Sequence, residues 1–486
     1  MSEKINAGAV SGAVLVVATI ISVALHYRFV IKMLTAEEAG VWLLFWSLGS
    51  YIAFFDLGIG PTISREIAFL NGKSYQNKSA SNFVKIATLF YLFIGGTLLA
   101  ISLSFGTSLL RKFEFVELSI DSVYLSWNFF ILGSVVNLIG NVSLNILTGC
   151  GFVVQERLVR AAGMFTWLFI SSIALYAGLG IEWLGASWLV NSIIVRIFAH
   201  KLQTRLIPNI RFTRGKWNKL LAKRLTEPSA KWALTQFGAL IILQTDNIII
   251  AWKLGVESIP PYEAAARVIV ALGTVSLLKT NASIPYYSRY FATQNHKELR
   301  HLLRANMNFT FKVLAIAISL VLFFGVDLFH IWLGEKQYVG NAILIVMMIT
   351  MAFEVHHVSH ASMTMSSGYI PFVPIAFMAG FLNIVFSLFL VERFGLLGVI
   401  LGTMIAQVTT NNWYAVYVNL KLLKIDLREY ITNVLIHFGY FVIVSITVQF
   451  LIDIFSANIQ SEIRLVLCVI GALSTYIFLN RLVPGD

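Results

Sequence analysis

The 486-residue sequence predicts an all-α polytopic membrane protein of about 14 transmembrane helices, arranged as two pseudo-symmetric six-helix lobes followed by two C-terminal helices. Three observations predict it. The chain is 58% hydrophobic and 12% charged, against about 45–50% apolar and about 25% charged in a soluble protein. That leaves too little polar surface to cover a globule in water. Apolar windows of about 20 residues, the length that crosses a bilayer, recur throughout the chain. The pattern of the first half returns in the second. The 13% aromatic content is the reverse of a disordered chain. Cys150 and Cys468, the 2 cysteines, make no disulfide framework.

Gly, Pro and charged residues divide the apolar windows. The first six spans fall at Asn6–Lys32, Ala39–Ile63, Phe83–Phe105, Ser122–Leu147, Ala161–Gly180 and Trp183–Leu202. Six more follow at Ala230–Leu254, Pro261–Tyr287, Met307–Val326, Asn341–Ser366, Pro371–Leu390 and Leu396–Leu420. Ile431–Leu451 and Ile463–Leu479 complete the set. The expected organisation is an N-lobe over 1–205, a basic cytoplasmic linker over 206–228, a C-lobe over 229–420 and the C-terminal helices over 421–486. The first apolar run is too long for a signal peptide and lacks a small-residue cleavage site, so it reads as a retained span.

The net charge of +12 raises the question of nucleic acid, but the cations sit in short segments between apolar runs, as membrane topology requires. With the N-terminus inside, cytoplasmic segments carry about 23 of the 36 Lys and Arg and periplasmic segments about 7. The largest block has 9 between Lys201 and Lys231. Both termini are therefore expected in the cytoplasm, and nucleic acid is excluded as a partner.

The repeat is visible at two places. Leu34-Thr-Ala-Glu37-Glu-Ala-Gly-Val-Trp42 follows the first span, and Leu254-Gly-Val-Glu257-Ser-Ile-Pro-Pro-Tyr262 follows the seventh. The next span then closes with Pro61-Thr-Ile-Ser64-Arg65 in one copy and Pro285-Tyr-Tyr-Ser288-Arg289 in the other. Six spans separate the copies, so the repeat is parallel, and substrate sites in such folds lie near mid-membrane at the repeat interface.

From Lys32 to Arg65 the sequence resembles the polysaccharide-transport family of the MOP exporter superfamily, the O-antigen (Wzx-type) flippases. That family has a turn L-x-x-x-x-x-G-x-[WY] and a second span ending D-x-G and then a basic residue; here they are Leu34, Gly40, Trp42, Asp56, Gly58 and Arg65. The seventh span, from Gln244 to Leu254, resembles the opening of the family's C-lobe. The resemblance implies a flippase moving polyprenyl-diphosphate-linked oligosaccharide from the cytoplasmic to the periplasmic leaflet of a bacterial inner membrane. It also implies a role in lipopolysaccharide biosynthesis, with membrane lipid, a polysaccharide polymerase and chain-length proteins as partners. No cofactor is implied.

An anionic diphosphate and hydroxyl-rich sugars call for cations and amides, and ionisable residues inside spans by default face a cavity or each other. Lys279 lies too deep to snorkel easily, and serves as a lumen cation or in an ion pair buried between helices. Arg267 stands four residues after Glu263, which fits either a cargo ligand or a local salt bridge. Arg28 is a diphosphate ligand or a snorkelling anchor. Asn137, Asn141 and Asn145 form a stripe on the fourth span that suits sugar hydroxyls or interhelical hydrogen bonds; Gln407, Asn411 and Asn412 allow the same two readings. Asp246 and Glu354 are the ion-coupling candidates. Asp56 is a third, with pairing to Arg65 or capping of backbone donors as its structural alternative. His356, His357 and His360 offer a pH-sensitive or sugar-contacting wall, or plain packing. Metal binding is disfavoured, since there is no H-E-x-x-H.

A membrane glycosyltransferase or polymerase needs a catalytic domain or a long outside loop, and neither is present, so no enzyme is expected. A drug or amphiphile exporter of the same superfamily is the nearer rival, because fold does not fix function. No G-x-x-x-x-G-K-[ST] is present. Transport by alternating access is therefore expected to draw on an ion gradient, or on consumption of the cargo at the far side.

Overall fold

A computed structural model describes residues 2–70, 77–113, 115–456 and 459–482. The described residues form helices joined by turns, without strands. The chain is a polytopic membrane protein: among the described residues, 10 helices are long and apolar enough to cross a membrane, and a bent pair makes 11. The chain divides into two compact units, Met1–Pro260 and Pro261–Asp486.

The first unit contains α1 (Ser2–Met33), α2 (Ala36–Phe54), α3 (Ile59–Leu70), α4 (Asn77–Leu110), α5 (Ile120–Gly149), α6 (Val153–Tyr176), α7 (Ile181–Leu206) and α8 (Lys219–Leu254). Helix α5 is its hub and packs on α2, α3, α4, α6 and α7. The second span expected from sequence is broken into α2 and α3. Leu57 and Gly58 take left-handed φ of 49° and 71°, which ends α2, and the Asp56 carboxylate accepts the Gly60 N–H at 3.4 Å, which caps the start of α3. Along α3, Ile59, Ile63 and Ile67 recur at helical spacing and are buried in the core with α4 and α5. The segment between α7 and α8 is tied to the start of α4: Arg211 N–H donates to Ser81 Oγ at 3.2 Å and Lys216 N–H to Asn82 Oδ1 at 2.6 Å. Asn218 then caps α8, accepting from the N–H groups of Leu220 and Leu221.

The second unit begins within α9 (Ile259–Ser276) and continues with α10 (Leu278–Ala292), α11 (His296–Trp332), α12 (Asn341–Met365), α13 (Val373–Phe394), α14 (Leu396–Thr409), α15 (Asn411–Leu423), α16 (Leu427–Tyr430), α17 (Ile436–Ser456) and α18 (Ser461–Leu482). The eighth expected span is also broken, α9 and α10 meeting at a 43° bend. Pro61 and Pro285, the matching prolines of the repeat, each lie in the second piece of a broken span. Helix α11 is the hub here, packing on α10, α12, α17 and α18. Two polar ties fasten α17 and α18. Arg464 on α18 bridges Asp327 on α11 at 3.0 Å and Asp453 on α17 at 2.5 Å. Lys312 on α11, fully buried, donates to Asn480 Oδ1 at 2.9 Å.

Candidate functional site

In the first unit the asparagine stripe of α5 runs through a polar network. Asn137 spends both ends of its amide: Nδ2 donates to Ser192 Oγ at 2.7 Å and Oδ1 accepts from Arg196 Nε at 2.8 Å. Arg196 reaches it because Gly140 leaves room; a Cβ there would stand 2.4 Å from Arg196 Cδ. Arg196 Nη1 and Asn141 Oδ1 are both buried without a hydrogen-bond partner. A buried donor and a buried acceptor left unmade cost free energy. Arg160 pairs with Glu156 one helical turn away and interacts with Asp56. Asp56 accepts a hydrogen bond from the Tyr91 hydroxyl. Asn145 lies against Gly60, its Nδ2 2.8 Å from where a Cβ would be, and its carbonyl accepts from Ser64 Oγ at 3.1 Å. Arg160 also interacts with Arg196, so Asp56 joins Asn137 and Asn145 of α5, far from it in sequence, in one connected region. Of the two structural roles open to Asp56, capping is the one observed; Arg65 pairs with Glu66 at 3.4 Å instead.

The same face of α5 carries aromatic rings at its other end. Trp127 and Phe130 stack with ring centroids 6.1 Å apart, and Trp42, Trp46, Trp167 and Trp188 complete the cluster. Trp46 and Trp188 are half-buried and the other rings are buried. On α8, Asp246 is half-buried and interacts with Tyr51 of α2. Its neighbours bind α2 directly: Thr245 and Tyr51 share a 3.1 Å hydrogen bond, and Asn247 Nδ2 donates to Ser47 Oγ at 2.8 Å. Arg28 is half-buried on α1, next to Tyr27, whose hydroxyl donates to the Pro260 carbonyl at 2.5 Å.

In the second unit, Lys279 Nζ donates to the Ala305 carbonyl at 3.4 Å, and its charge is felt by Lys312. The Glu263–Arg267 pair forms at 2.9 Å. Glu354 Oε2 is buried without a hydrogen-bond partner, as are Gln407 Oε1 and both amide atoms of Asn412. Gln407 and Asn412 flank the break between α14 and α15 at Thr410. His357 Nδ1 lies 2.8 Å from the Asn411 carbonyl oxygen, and His356 and His360 both turn toward the Tyr430 hydroxyl. No group of three His, Cys, Asp or Glu side chains among the described residues could hold a metal ion.

Sequence reasoning missed Arg160, Arg196, Lys312, Tyr91, Tyr430 and the aromatic cluster. Arg160 stands just before the fifth span and reads there as a topology signal, and Arg196 lies inside the sixth span with no local sign of its partner. Gly140, one helical position from Asn141, was the local hint that a side chain crosses the α5 face.

The sequence matches no family profile and no characterised relative. Its structure is similar to that of solved transporters. An inward-facing multidrug resistance MATE family transporter of the MOP superfamily aligns with a TM-score of 0.73 at 16% identity, covering 84% of this chain and 95% of that one. The lipid II flippase MurJ, in an inward closed conformation, aligns with a TM-score of 0.72 at 13% identity, covering 97% of this chain and 98% of that one. A MOP superfamily transporter from Pyrococcus furiosus aligns with a TM-score of 0.61 at 14% identity, covering 88% and 96%. The chain therefore has the fold of the MOP-superfamily transporters.

Proposed function

We propose that the protein is a flippase carrying a polyprenyl-diphosphate-linked oligosaccharide, an O-antigen or related repeat unit, from the cytoplasmic to the periplasmic leaflet of a bacterial inner membrane. The reading is supported by one observation above the others: the likeness to the lipid flippase runs end to end, over 97% of this chain, a cover too wide to leave out α17 and α18. The site chemistry agrees with such a cargo. Within the first unit Arg28 and Arg196, and within the second Lys279, are the cations assigned to an anionic cargo, and Asn141 and Asn145 are the amides assigned to sugar hydroxyls, whereas Arg160, Arg267 and Asn137 are already paired inside the protein. The long polyprenyl tail stays in hydrocarbon, since it gains nothing by leaving it. Both termini face the cytoplasm in this reading, and the cargo passes on to a polysaccharide polymerase and its chain-length proteins.

Transport proceeds by alternating access and draws on an ion gradient. Asp246 and the unpartnered Glu354 are the carboxylates assigned to coupling. Asp56 is the third, although Tyr91 and the Gly60 N–H already hold it. A second reading, export of a drug or other amphiphile, is favoured by the MATE likeness at a TM-score of 0.73.

Deleting the gene and assaying lipid-linked glycan on each leaflet tests the choice. The flippase reading expects glycan to collect on the cytoplasmic leaflet until the gene is restored. An unchanged leaflet distribution, with heightened sensitivity to cationic drugs, contradicts it and supports the exporter.

A further inference from the structure

The Tyr430 hydroxyl lies 2.6 Å from His356 Nε2 and 2.7 Å from His360 Nε2, and the two imidazole centroids are 4.9 Å apart. Counting protons along this chain fixes which atom carries each. The Thr364 hydroxyl gives its one proton to the His360 carbonyl at 3.0 Å, so its oxygen accepts from Asn419 Nδ2 at 3.1 Å. Asn419 Oδ1 then faces His360 Nδ1 at 2.9 Å, and an amide oxygen only accepts, so that nitrogen bears hydrogen. A neutral His360 has a bare Nε2, which takes the single Tyr430 proton. The Tyr430 oxygen is left to accept from His356 Nε2–H, and His356 keeps a bare Nδ1. His360, Asn419, Thr364 and Tyr430 are all buried.

From this directed chain we propose that His356, Tyr430 and His360 form a one-proton relay, a proton-binding site separate from the carboxylates assigned above. A proton arriving at His356 Nδ1 makes that ring an imidazolium. Its Nε2 proton passes to the Tyr430 oxygen as the Tyr430 proton passes to His360 Nε2. The charge ends on His360, His356 is left neutral with hydrogen on Nδ1, and no heavy atom needs to move. A second proton is opposed by the charge of the first, held at a 4.9 Å ring separation in a buried setting.

The nearby titratable groups other than Glu354 are engaged elsewhere. On α12, His357 meets the Asn411 carbonyl, and Glu354 lies two residues before His356. On α10, Lys279 meets the Ala305 carbonyl. On α11, Lys312 meets Asn480, and Arg300 donates to the Leu423 and Lys424 carbonyls. Arg304 of α11 pairs with Glu429 of α16 at 3.6 Å. On α15, Lys421 lies over the Tyr417 ring, and on α17 His437 stacks on Phe441. A cleft lined by Arg300, Arg304 and Glu429 together with Leu303, Ile425 and Val434 reaches Tyr430. Tyr430 is also the last residue before the π-helical turn Ile431–Leu435 that leads into α17. Such turns are frequent at functional sites, and the relay links this one to α12 and α15.

The proposal rests on reading the chain as an ion-driven transporter only for what the proton drives; proton binding itself is measured separately. The full protein with 15N-histidine is placed in lipid nanodiscs and titrated by NMR, beside Tyr430→Phe, His356→Gln and His360→Gln. The expected wild-type spectrum at high pH shows His360 with hydrogen on Nδ1 and His356 with hydrogen on Nε2, and on acidification the pair takes up one shared proton. Tyr430→Phe keeps the ring but loses the bridge, and the two histidines then titrate independently. Hydrogen on Nε2 of both rings in the wild type, or the same titration in Tyr430→Phe as in the wild type, overturns the relay. Proteoliposome transport is measured in parallel, and its absence in the wild type counts against the transporter reading, leaving the titration to decide the relay.

Discussion

Gly40 and Val256 approach backbone to backbone: a methyl group on the Gly40 Cα would stand 1.9 Å from the Val256 carbonyl oxygen. Gly40 belongs to the first copy of the repeated turn and Val256 to the second, so within the first unit the two copies meet at their tips. The glycine of the L-x-x-x-x-x-G-x-[WY] turn is thus explained by close approach. The adjoining Tyr27 hydroxyl bonded to the Pro260 carbonyl holds the same junction.

Gly40→Ala is therefore expected to destabilise the protein by about 1–3 kcal/mol, the usual cost of overpacking, because a backbone atom cannot swing aside. Gly96, with nothing within 4 Å of its added Cβ, is the control. Thermal unfolding in detergent followed by size-exclusion chromatography should show a lowered midpoint for Gly40→Ala and little change for Gly96→Ala.

At the D-x-G sequence, Asp56→Asn should keep the cap on α3, since asparagine caps as well as aspartate, whereas Asp56→Ala should lose about 1 kcal/mol. The same thermal assay separates the two. If the alanine variant matches the wild type, the capping role is wrong.

The long apolar windows made the fold class legible, because a helix of about 20 residues is the cheapest way to satisfy backbone groups in lipid. The break inside the second span was harder to see. It depends on left-handed Leu57 and Gly58, and the apolar pattern continues across it. For the site, Asp56, Asn137 and Asn145 were visible as polar intrusions into spans. Their partners were not: Arg196 is 59 positions from Asn137 and Tyr91 is 35 from Asp56. Tyr430, in a helix of 4 residues 70 positions from His360, gave no local sign of its role.

Removing the Asn137 amide should expose the cost of an unpaired arginine. Asn137→Ala leaves Arg196 Nε without its acceptor, and a hydrogen bond to a charged group is worth about 1.5–3 kcal/mol. Asn137→Asp restores an acceptor and should recover much of the stability. A double-mutant cycle of Asn137→Ala with Arg196→Met measures the coupling, and additive effects would contradict a direct bond.

The expected topology is tested by cysteines placed at Lys216 and Ser119 in a variant lacking Cys150 and Cys468. An impermeant thiol reagent applied to intact spheroplasts should label the Ser119 site and spare the Lys216 site. Labelling of both would refute cytoplasmic placement of the basic segment.

The most direct test of the flippase account is leaflet exchange by the purified protein. Proteoliposomes carrying polyprenyl-diphosphate-linked oligosaccharide in both leaflets are treated with an impermeant glycosidase, and the glycan fraction that becomes accessible is followed in time. The account predicts that wild-type protein brings the inner-leaflet pool within reach, that Lys279→Ala falls at least about tenfold toward the protein-free rate (about 1.4 kcal/mol in the barrier), and that Lys279→Arg keeps part of the activity because charge is the requirement. Wild-type exchange no faster than in protein-free liposomes would contradict it.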